Sequence, residues 1–272
     1  MEPKKQTEKK TRGASASVVI VICAIIAFAF FFIVCKDSLQ IFHLFDEKGD
    51  PIDGNVFGTL SKGGYVIPVI MTLLLTVVAL SIERAFAMNR ARGKGNLVKF
   101  VEQAKAKLEA GDINGARQLC DAQKGAVASI LRAGLIRYED VENITNLNND
   151  EKAAIIEKEI EEATALELPT MEQNLSVIAT ISTLGTLFGL LGTVLGMIKS
   201  FSAMSNEGAP DSTKLALGIS EALMNTAMGI ATGALAIISY GYFSGSVQNI
   251  TNAVDEIGFA IGQTYTTKHL GK

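Results

Sequence analysis

LSVIATISTLGTLFGLLGTVLGMI, residues 175–198, contains no charged side chain, and the first one after it is Lys199. A helix of about 20 apolar residues spans the hydrocarbon core of a bilayer. The stretch therefore predicts a transmembrane helix over residues 175–201. A chain that holds such a segment is expected to be an integral membrane protein.

A second charge-poor run follows a short polar loop at residues 202–214. Up to residue 254 it holds one acidic or basic side chain, Glu221. A helix over a run of this length would extend about 60 Å, well beyond the ~30 Å hydrocarbon core. We therefore predict a transmembrane helix at 215–250 that continues into the cytoplasm, followed by a cytoplasmic tail at 251–272.

Two further apolar runs precede this hairpin. Residues 14–35 carry no charge, and a run from Gly63 ends at Glu83-Arg84. They predict an extra N-terminal transmembrane helix at 14–35 and the first of three core transmembrane helices at 63–84. A cleaved signal peptide is the alternative for 14–35, but the run is long for one and no clear cleavage site follows it.

The flanking charges predict the topology. Residues 1–13 form a basic tail, residues 36–62 form an acidic loop, and basic residues again follow the 63–84 helix. Because cytoplasmic segments beside membrane helices are enriched in Lys and Arg, the tail and residues 85–174 are predicted to be cytoplasmic. The loops at 36–62 and 202–214 are then outside, and both termini are inside.

Residues 85–174 are predicted to form a cytoplasmic helical domain. Its first helix has an apolar stripe at helical spacing, made of Leu97, Val101, Ala104 and Leu108. Gly111-Asp112 ends this helix, and Pro169 is expected to mark the boundary before the third span. The fold class is an all-α integral membrane protein with about four transmembrane helices, three core spans plus one extra.

Composition excludes several kinds of site. The net charge of the 272 residues is −3, which does not suggest nucleic-acid binding. The three cysteines form no C-x-x-C pair, and the two histidines, His43 and His269, lie far apart in the sequence. We therefore expect no disulfide framework, no metal site, no cofactor and no enzymatic activity.

Glu221 is the candidate functional residue with the strongest physical argument. A carboxylate inside a bilayer is costly, so it faces protein or water, or takes up a proton. Asn225 shares its face of the helix, and Thr226 lies about 140° away from it. In the preceding run, three hydroxyls fall within roughly 80° of arc: Thr183, Thr186 and Thr193.

We interpret these six side chains as the lining of an ion path. One alternative is that Glu221 reaches the membrane interface from the outer end of its helix. Another is that each threonine bonds to a carbonyl one turn back in its own helix. Glycines also recur four residues apart, at 185/189, 192/196, 229/233 and 241/245. They predict close helix packing, within one subunit or between subunits.

Three segments, in order and with a short loop before the last, carry a resemblance to a known family: Leu175–Ile181, Gly189–Ile198 and Gly218–Gly229. They resemble the ExbB/TolQ branch of the MotA/TolQ/ExbB proton-channel family, with ExbB the nearer match. Residues 157–175 are similar to the family's cytoplasmic helix that enters the second core span. Residues 82–84 are similar to the end of its first core span.

The resemblance implies a proton-channel subunit of a motor in the bacterial inner membrane. It implies a homo-oligomeric ring, a pentamer, around helices of an ExbD/TolR-like single-span partner that carries a membrane aspartate. It also implies that motion is passed to a TonB-like or TolA-like protein. On this basis Thr193 and Thr226 match the family's pore threonines, and Glu221 matches its membrane glutamate. Thr183, Thr186 and Asn225 have no such match.

Two departures from the family pattern stand out. Thr186 and Leu235 occupy places where the family often has prolines, and the helix at 14–35 precedes the usual three spans. The alternatives to a TonB-type energiser are a TolQ-like envelope-maintenance motor and a non-conducting membrane scaffold, in which Glu221 would be dispensable. A solute transporter is disfavoured, because no inverted repeat or broken helix is evident. The choice between H⁺ and Na⁺ stays open.

Overall fold

The structure is a computed structural model that describes residues 15–35, 56–61, 63–144, 146–206 and 212–269. Every regular element in these ranges is a helix. Four helical stretches are long and apolar enough to cross a membrane. The all-α membrane fold expected from the sequence is therefore confirmed. The basic tail at 1–13 and most of the 36–62 loop lie outside the described residues.

The helices are α1 (Ala16–Phe30, continued by a π-helical stretch at Phe31–Cys35), α2 (Val56–Ser61), α3 (Val66–Arg92), α4 (Leu97–Glu109), α5 (Ile113–Gln123), α6 (Ala126–Glu142), α7 (Asn149–Glu172), α8 (Leu175–Asn206) and α9 (Ser212–His269). Helix α3 extends past the predicted end of its span at residue 84. Helix α9 is 58 residues long, so it continues through most of the segment expected as a tail.

Two compact units divide the chain. The first, called the membrane unit, comprises residues 1–83 and 174–241. The second, called the helical unit, comprises residues 84–173 and 242–272. Each unit draws on distant parts of the chain, and α9 contributes residues to both.

In the membrane unit, α1 packs on its own chain through one narrow stripe. Its buried residues recur at four-residue spacing and are Cys23, Ala27, Phe31 and Cys35. The last two form a cluster with Leu60, Ile67, Met71, Met224 and Met228. Contacts of this kind in a bilayer act through van der Waals packing, because lipid tails are as apolar as the side chains. The extra helix therefore packs against the first and third core helices, α3 and α9.

Helix α7 continues through Pro169 instead of ending there, which corrects the boundary expected from the sequence. At the end of α7, beyond the proline, lies Arg84, which is 1% exposed. Its Nη1 donates to the carbonyl oxygens of Thr170 at 3.2 Å and Met171 at 3.3 Å. A cation at this end satisfies the last carbonyls and complements the helix dipole. The turn into α8 comes later, at Asn174, where φ is 64°.

The helical unit has an apolar core built on α4, α6, α7 and the second half of α9. Of the stripe expected on α4, Val101, Ala104 and Leu108 are buried and Leu97 is half-buried. Helix α6 contributes buried residues on two faces, from Val127 to Val141. Tyr138 of α6 and Tyr265 of α9 meet edge to face, with ring centroids 5.0 Å apart. Such aromatic pairs add to the stability that burial alone provides.

Two glycine turns cross at close range in the helical unit. Gly93 follows α3 with φ 75°, and Gly125 precedes α6 with φ 87°. A Cβ on Gly125 would lie 2.6 Å from the backbone nitrogen of Gly93. The backbone nitrogen of Lys94 donates to the carbonyl oxygen of Gln123 at 2.6 Å. This crossing joins the end of α3 to the α5–α6 turn and leaves no room for a side chain.

Replacing Gly93 with Ala is expected to destabilise the helical unit by about 2 kcal/mol, from left-handed strain plus a collision with the Lys124 carbonyl. Gly111→Ala is the matched control, because Gly111 has φ 71° but nothing within 4 Å of a built Cβ. It should cost only the strain, about 1 kcal/mol. Thermal unfolding of both variants in detergent measures the difference, and equal losses would contradict the crossing.

Asp112 caps the start of α5. Its Oδ1 accepts from the backbone nitrogen of Gly115 at 2.8 Å, and its Oδ2 accepts from Nζ of Lys107 at 2.6 Å. The Lys107 hydrogen bond, and next the Gly115 bond, hold the pKa of this carboxyl below its usual range. A lowered folded-state pKa stabilises the fold above the ordinary pKa of Asp, and this contribution is lost as the pH falls through the lowered value.

Asp112→Asn should therefore lower the unfolding temperature at neutral pH, and the difference from wild type should shrink in acid as the carboxylate is protonated. Asn keeps a capping oxygen but does not titrate, so the variant isolates the charge. Unfolding temperatures of the two proteins across a pH series measure the difference. In a Lys107→Gln background the difference should be smaller at neutral pH; an unchanged one would contradict the assigned cause.

Candidate functional site

Glu221 lies near the start of α9 and faces Lys199 near the end of α8. Nζ of Lys199 donates to Oε2 of Glu221 at 2.7 Å. The glutamate side chain is 14% exposed, whereas the lysine side chain is 71% exposed. A short, charge-assisted hydrogen bond to a shielded carboxylate is stronger than an ordinary surface ion pair. One side of the carboxylate is therefore bound by the Lys199 ammonium group, and the lysine side chain itself is mostly exposed.

The turn between α2 and α3 lies on another side of the same carboxylate. Gly64 has φ 67°, and a Cβ built on it would collide with Oε1 of Glu221. A Cβ on Gly63 would come within 3.1 Å of Oδ1 of Asn225. Glycine suits a position with a left-handed φ and a close neighbour, because it has no Cβ. The Gly63–Gly64 turn thus brings backbone directly against two polar side chains of α9.

Asn225 is the most enclosed of the six candidate residues, with 1% of its surface exposed. Its Oδ1 accepts no hydrogen bond from any residue that the structure describes. On α8 its side chain lies against Gly192, where a built Cβ would approach Cγ to 2.6 Å. An unsatisfied buried acceptor costs about 1–3 kcal/mol, so it marks a place for a donor from outside these residues.

Glycines bring the backbones of α8 and α9 together along a line called the glycine seam. A Cβ on Gly229 would lie 2.6 Å from both the Gly185 carbonyl oxygen and the Gly189 Cα. Farther along the hairpin a Cβ on Gly196 would lie 2.9 Å from Cβ of Ala222. The glycine pairs at 185/189, 192/196 and 229/233 therefore pack within one subunit. Around the 241/245 pair the structure places nothing within 4 Å of a built Cβ.

The threonines differ in their partners. Oγ1 of Thr226 donates across the glycine seam to the Gly189 carbonyl oxygen at 3.3 Å. Thr186 and Thr193 instead donate to carbonyl oxygens one turn back in α8, at 3.3 and 2.6 Å. For these two threonines the structure therefore shows the alternative named in the sequence analysis, a bond to a carbonyl one turn back in the same helix. A hydroxyl oxygen that donates can still accept from water, so they leave a lining role open. Thr183 and Thr186 are exposed, and Thr193 is half-buried.

The structure thus gathers Glu221, Asn225 and Thr226 at the glycine seam and places Thr193 on the facing helix. Thr183 and Thr186 lie farther along α8, where a Cβ on Gly233 would meet Oγ1 of Thr186 at 2.8 Å. Sequence reasoning missed three neighbours of the site: Lys199, Gly63 and Gly64. For Lys199 a signal existed, because residues equidistant from the loop of a helical hairpin face each other.

The described residues of the site offer one carboxylate, one ammonium group and one amide oxygen to which none of them donates. Such a set can take up and release a proton at the carboxylate, with the ammonium as its counter-ion. In the part of the chain that the structure describes, no group of three or more His, Cys, Asp or Glu side chains could hold a metal ion. The described residues thus place a shielded carboxylate, a cation and a buried amide oxygen on one pair of helices.

Known proteins share this part of the chain. The model of the MotA/TolQ/ExbB proton channel family matches residues 122–256. The biopolymer transport protein ExbB-like 3 of Synechocystis sp. is 38% identical over 86 residues, which cover 31% of this chain and 41% of that protein. The Tol-Pal system protein TolQ of Haemophilus influenzae is 23% identical over 210 residues, which cover 74% of this chain and 91% of that protein.

The biopolymer transport protein ExbB of Salmonella typhimurium is 28% identical over 140 residues, which cover 50% of this chain and 57% of that protein. The chain thus spans less than two thirds of the length of these two ExbB-type relatives. An all-α membrane protein whose site is a helix hairpin with one shielded acid fits the matched family well. The chain belongs to the MotA/TolQ/ExbB proton channel family. Its relatives are of the ExbB and TolQ types, and its spans mark it as a bacterial inner-membrane protein.

Gly229→Ala is expected to destabilise the membrane unit by about 1–3 kcal/mol, because its Cβ would meet backbone that has no rotamer to change. Gly241→Ala, in the same helix but with nothing within 4 Å, should be neutral or slightly stabilising. Thermal unfolding of the detergent-solubilised variants makes the comparison. A neutral Gly229→Ala would mean that the two helices do not touch at the glycine seam.

Proposed function

We propose that this chain is the proton-channel subunit of an inner-membrane motor that uses the proton-motive force to energise outer-membrane transport through a TonB-type system. The observation that carries the proposal is Glu221. It is shielded to 14% exposure, ion-paired, and set in a helix segment whose remaining residues are uncharged up to residue 254. An acid kept in such a place is a functional group by default in membrane proteins. The role proposed is coupled transport and not enzymatic catalysis.

The proposed working unit is a homo-oligomeric ring, a pentamer, with an ExbD/TolR-like single-span partner at its centre and a TonB-like protein as the recipient of motion. The exposure of Thr183 and Thr186 in the single chain supports this arrangement. Polar side chains on the open face of an apolar helix are expensive against lipid and suit a surface that faces a partner or water. The partner's aspartate would then exchange protons with the path lined by these residues.

The proposed topology has both termini and the helical unit in the cytoplasm. Arg90 and Arg92 at the end of α3 support it, since basic residues beside a span favour the cytoplasmic side. The 202–214 loop and Lys199 are then on the outer side. Glu221 lies close to that side, which is where protons driven by the membrane potential enter.

A TolQ-like envelope-maintenance role is the second candidate. It is favoured by the match that covers 91% of the Haemophilus influenzae TolQ. Expression of the chain in one strain that lacks ExbB and in another that lacks TolQ separates the two roles. Restored TonB-dependent uptake supports the first role, and restored resistance to detergents supports the second.

Proton flux into vesicles tests the ion path itself. The chain is co-expressed with a candidate ExbD-like partner, and wild type is compared with Glu221→Gln and Thr226→Val. Gln keeps the size and hydrogen bonding of Glu but takes up no proton, so flux should fall about a hundredfold or more. Thr226→Val removes the bond to Gly189 and the polar lining, and flux should fall about tenfold.

Thr180→Val is the matched control, because Thr180 lies on α8 about 120° around the helix from Thr186 and about 140° from Thr193, and it bonds to its own helix. Its flux should equal that of wild type. Size-exclusion chromatography checks that every variant assembles. Unchanged flux in Glu221→Gln would rule out an ion path that depends on this residue. Absence of flux in the assembled wild-type complex would instead favour a non-conducting scaffold.

A further inference from the structure

The ion pair at the outer end of the hairpin bears on which cation the site accepts. Lys199 Nζ is 2.7 Å from Oε2 of Glu221. We propose that Lys199 is a specificity-determining residue, which lets protons use the site at Glu221 and keeps out metal cations such as Na⁺. This inference rests on the proposed function, since it concerns the ion that the path carries.

A metal cation and the lysine would have to share one carboxylate. Na⁺ that binds Glu221 has to displace the ammonium from its 2.7 Å hydrogen bond to a carboxylate whose side chain is 14% exposed. The metal ion must therefore give up part of its hydration shell and also replace a cation that the carboxylate already holds. Because the ammonium offsets the negative charge of the carboxylate, the attraction that would compensate the metal ion for losing its hydration shell is also weaker.

A proton does not meet this obstacle. A hydronium ion on the outer side gives its proton to a carboxylate oxygen of Glu221, which becomes a neutral carboxylic acid, and a water molecule remains. Lys199 keeps its own proton and turns into the solvent, which its 71% exposure and long stem allow. When the acid passes its proton to the next acceptor of the path, the carboxylate reforms and the ammonium returns to it.

The other groups around Glu221 would suit a metal cation if Lys199 were absent. Among the described residues, the other groups placed against the carboxylate are uncharged: the Gly63–Gly64 turn and Asn225, whose buried Oδ1 accepts from none of these residues. A carboxylate and an amide oxygen are hard ligands of the kind that alkali and alkaline-earth cations take in proteins. Without Lys199 these oxygens form the beginnings of a metal-cation site. The charge of one side chain thus separates a proton site from a Na⁺ site.

The first test measures H⁺ and Na⁺ flux into vesicles that hold the complex with its ExbD-like partner. Lys199→Gln removes the charge, Lys199→Arg keeps it, and Lys158→Gln removes a lysine that pairs with Glu162 in the helical unit. In Lys199→Gln the ratio of Na⁺ to H⁺ flux should rise about tenfold or more. Wild type, Lys199→Arg and Lys158→Gln should carry protons alone. An unchanged ratio in Lys199→Gln would overturn the proposal.

The second test needs no flux and no partner. A hydrophobic carbodiimide modifies carboxyl groups, and mass spectrometry of the full chain in vesicles reports modification of Glu221. Added NaCl should protect Glu221 in Lys199→Gln and should not protect it in wild type, with choline chloride as the control for ionic strength. Protection in both proteins, or in neither, would overturn the role of Lys199. Flux that persists in Glu221→Gln would instead overturn the proposed function, so the two failures are distinguishable.

Discussion

Helices α8 and α9 touch backbone to backbone, and this contact fixes where every polar group of the site lies. Between membrane helices no hydrophobic force acts, so association depends on close van der Waals packing and on polar contacts. A glycine face allows both: the Gly229 backbone fits between Gly185 and Gly189, and the Thr226 hydroxyl reaches the Gly189 carbonyl. Once Gly229 is fixed between Gly185 and Gly189, the regular helix repeat determines which residues of α8 and α9 face each other along the rest of the hairpin.

The register explains why a glutamate near the outer end meets a lysine. Facing positions along the hairpin are equidistant from a point near residue 209, as Gly196 with Ala222 and Gly192 with Asn225 show. Lys199 and Glu221 obey the same rule within one residue. Their pairing is therefore a product of the glycine seam and does not depend on the polar loop between the helices. The glycines of the seam thus determine the geometry of the site, although they contribute no side chain to it.

Sequence patterns could predict the spans and part of the site, because both follow from local periodicity. Apolar runs predicted four helices that are long and apolar enough to cross a membrane, and the described residues contain four such helices. The helix repeat put Asn225 on the face of Glu221. Contacts between distant segments were beyond this reasoning: nothing near Gly63 and Gly64 in the chain signals that their turn meets Glu221. The rule that a proline ends a helix was wrong at Pro169, and the hydrogen bonds of Arg84 to the last turn of α7 are another contact between distant segments that the sequence did not signal.

The two kinds of contact in the glycine seam also differ in their evolutionary freedom. Gly229 faces the backbone of Gly185 and Gly189, so no partner can shrink to accept a larger residue there. Gly192 faces the side chain of Asn225, and a methyl group at 192 would meet both its Cβ and its Cγ, so room for it appears only when residue 225 is itself glycine. We therefore expect a side chain at position 192 only where position 225 is glycine, whereas position 229 is expected to stay glycine whatever its neighbours are. A side chain at position 192 and the amide of Asn225 therefore exclude each other, so the glycine at 192 is a condition for the buried amide of the site.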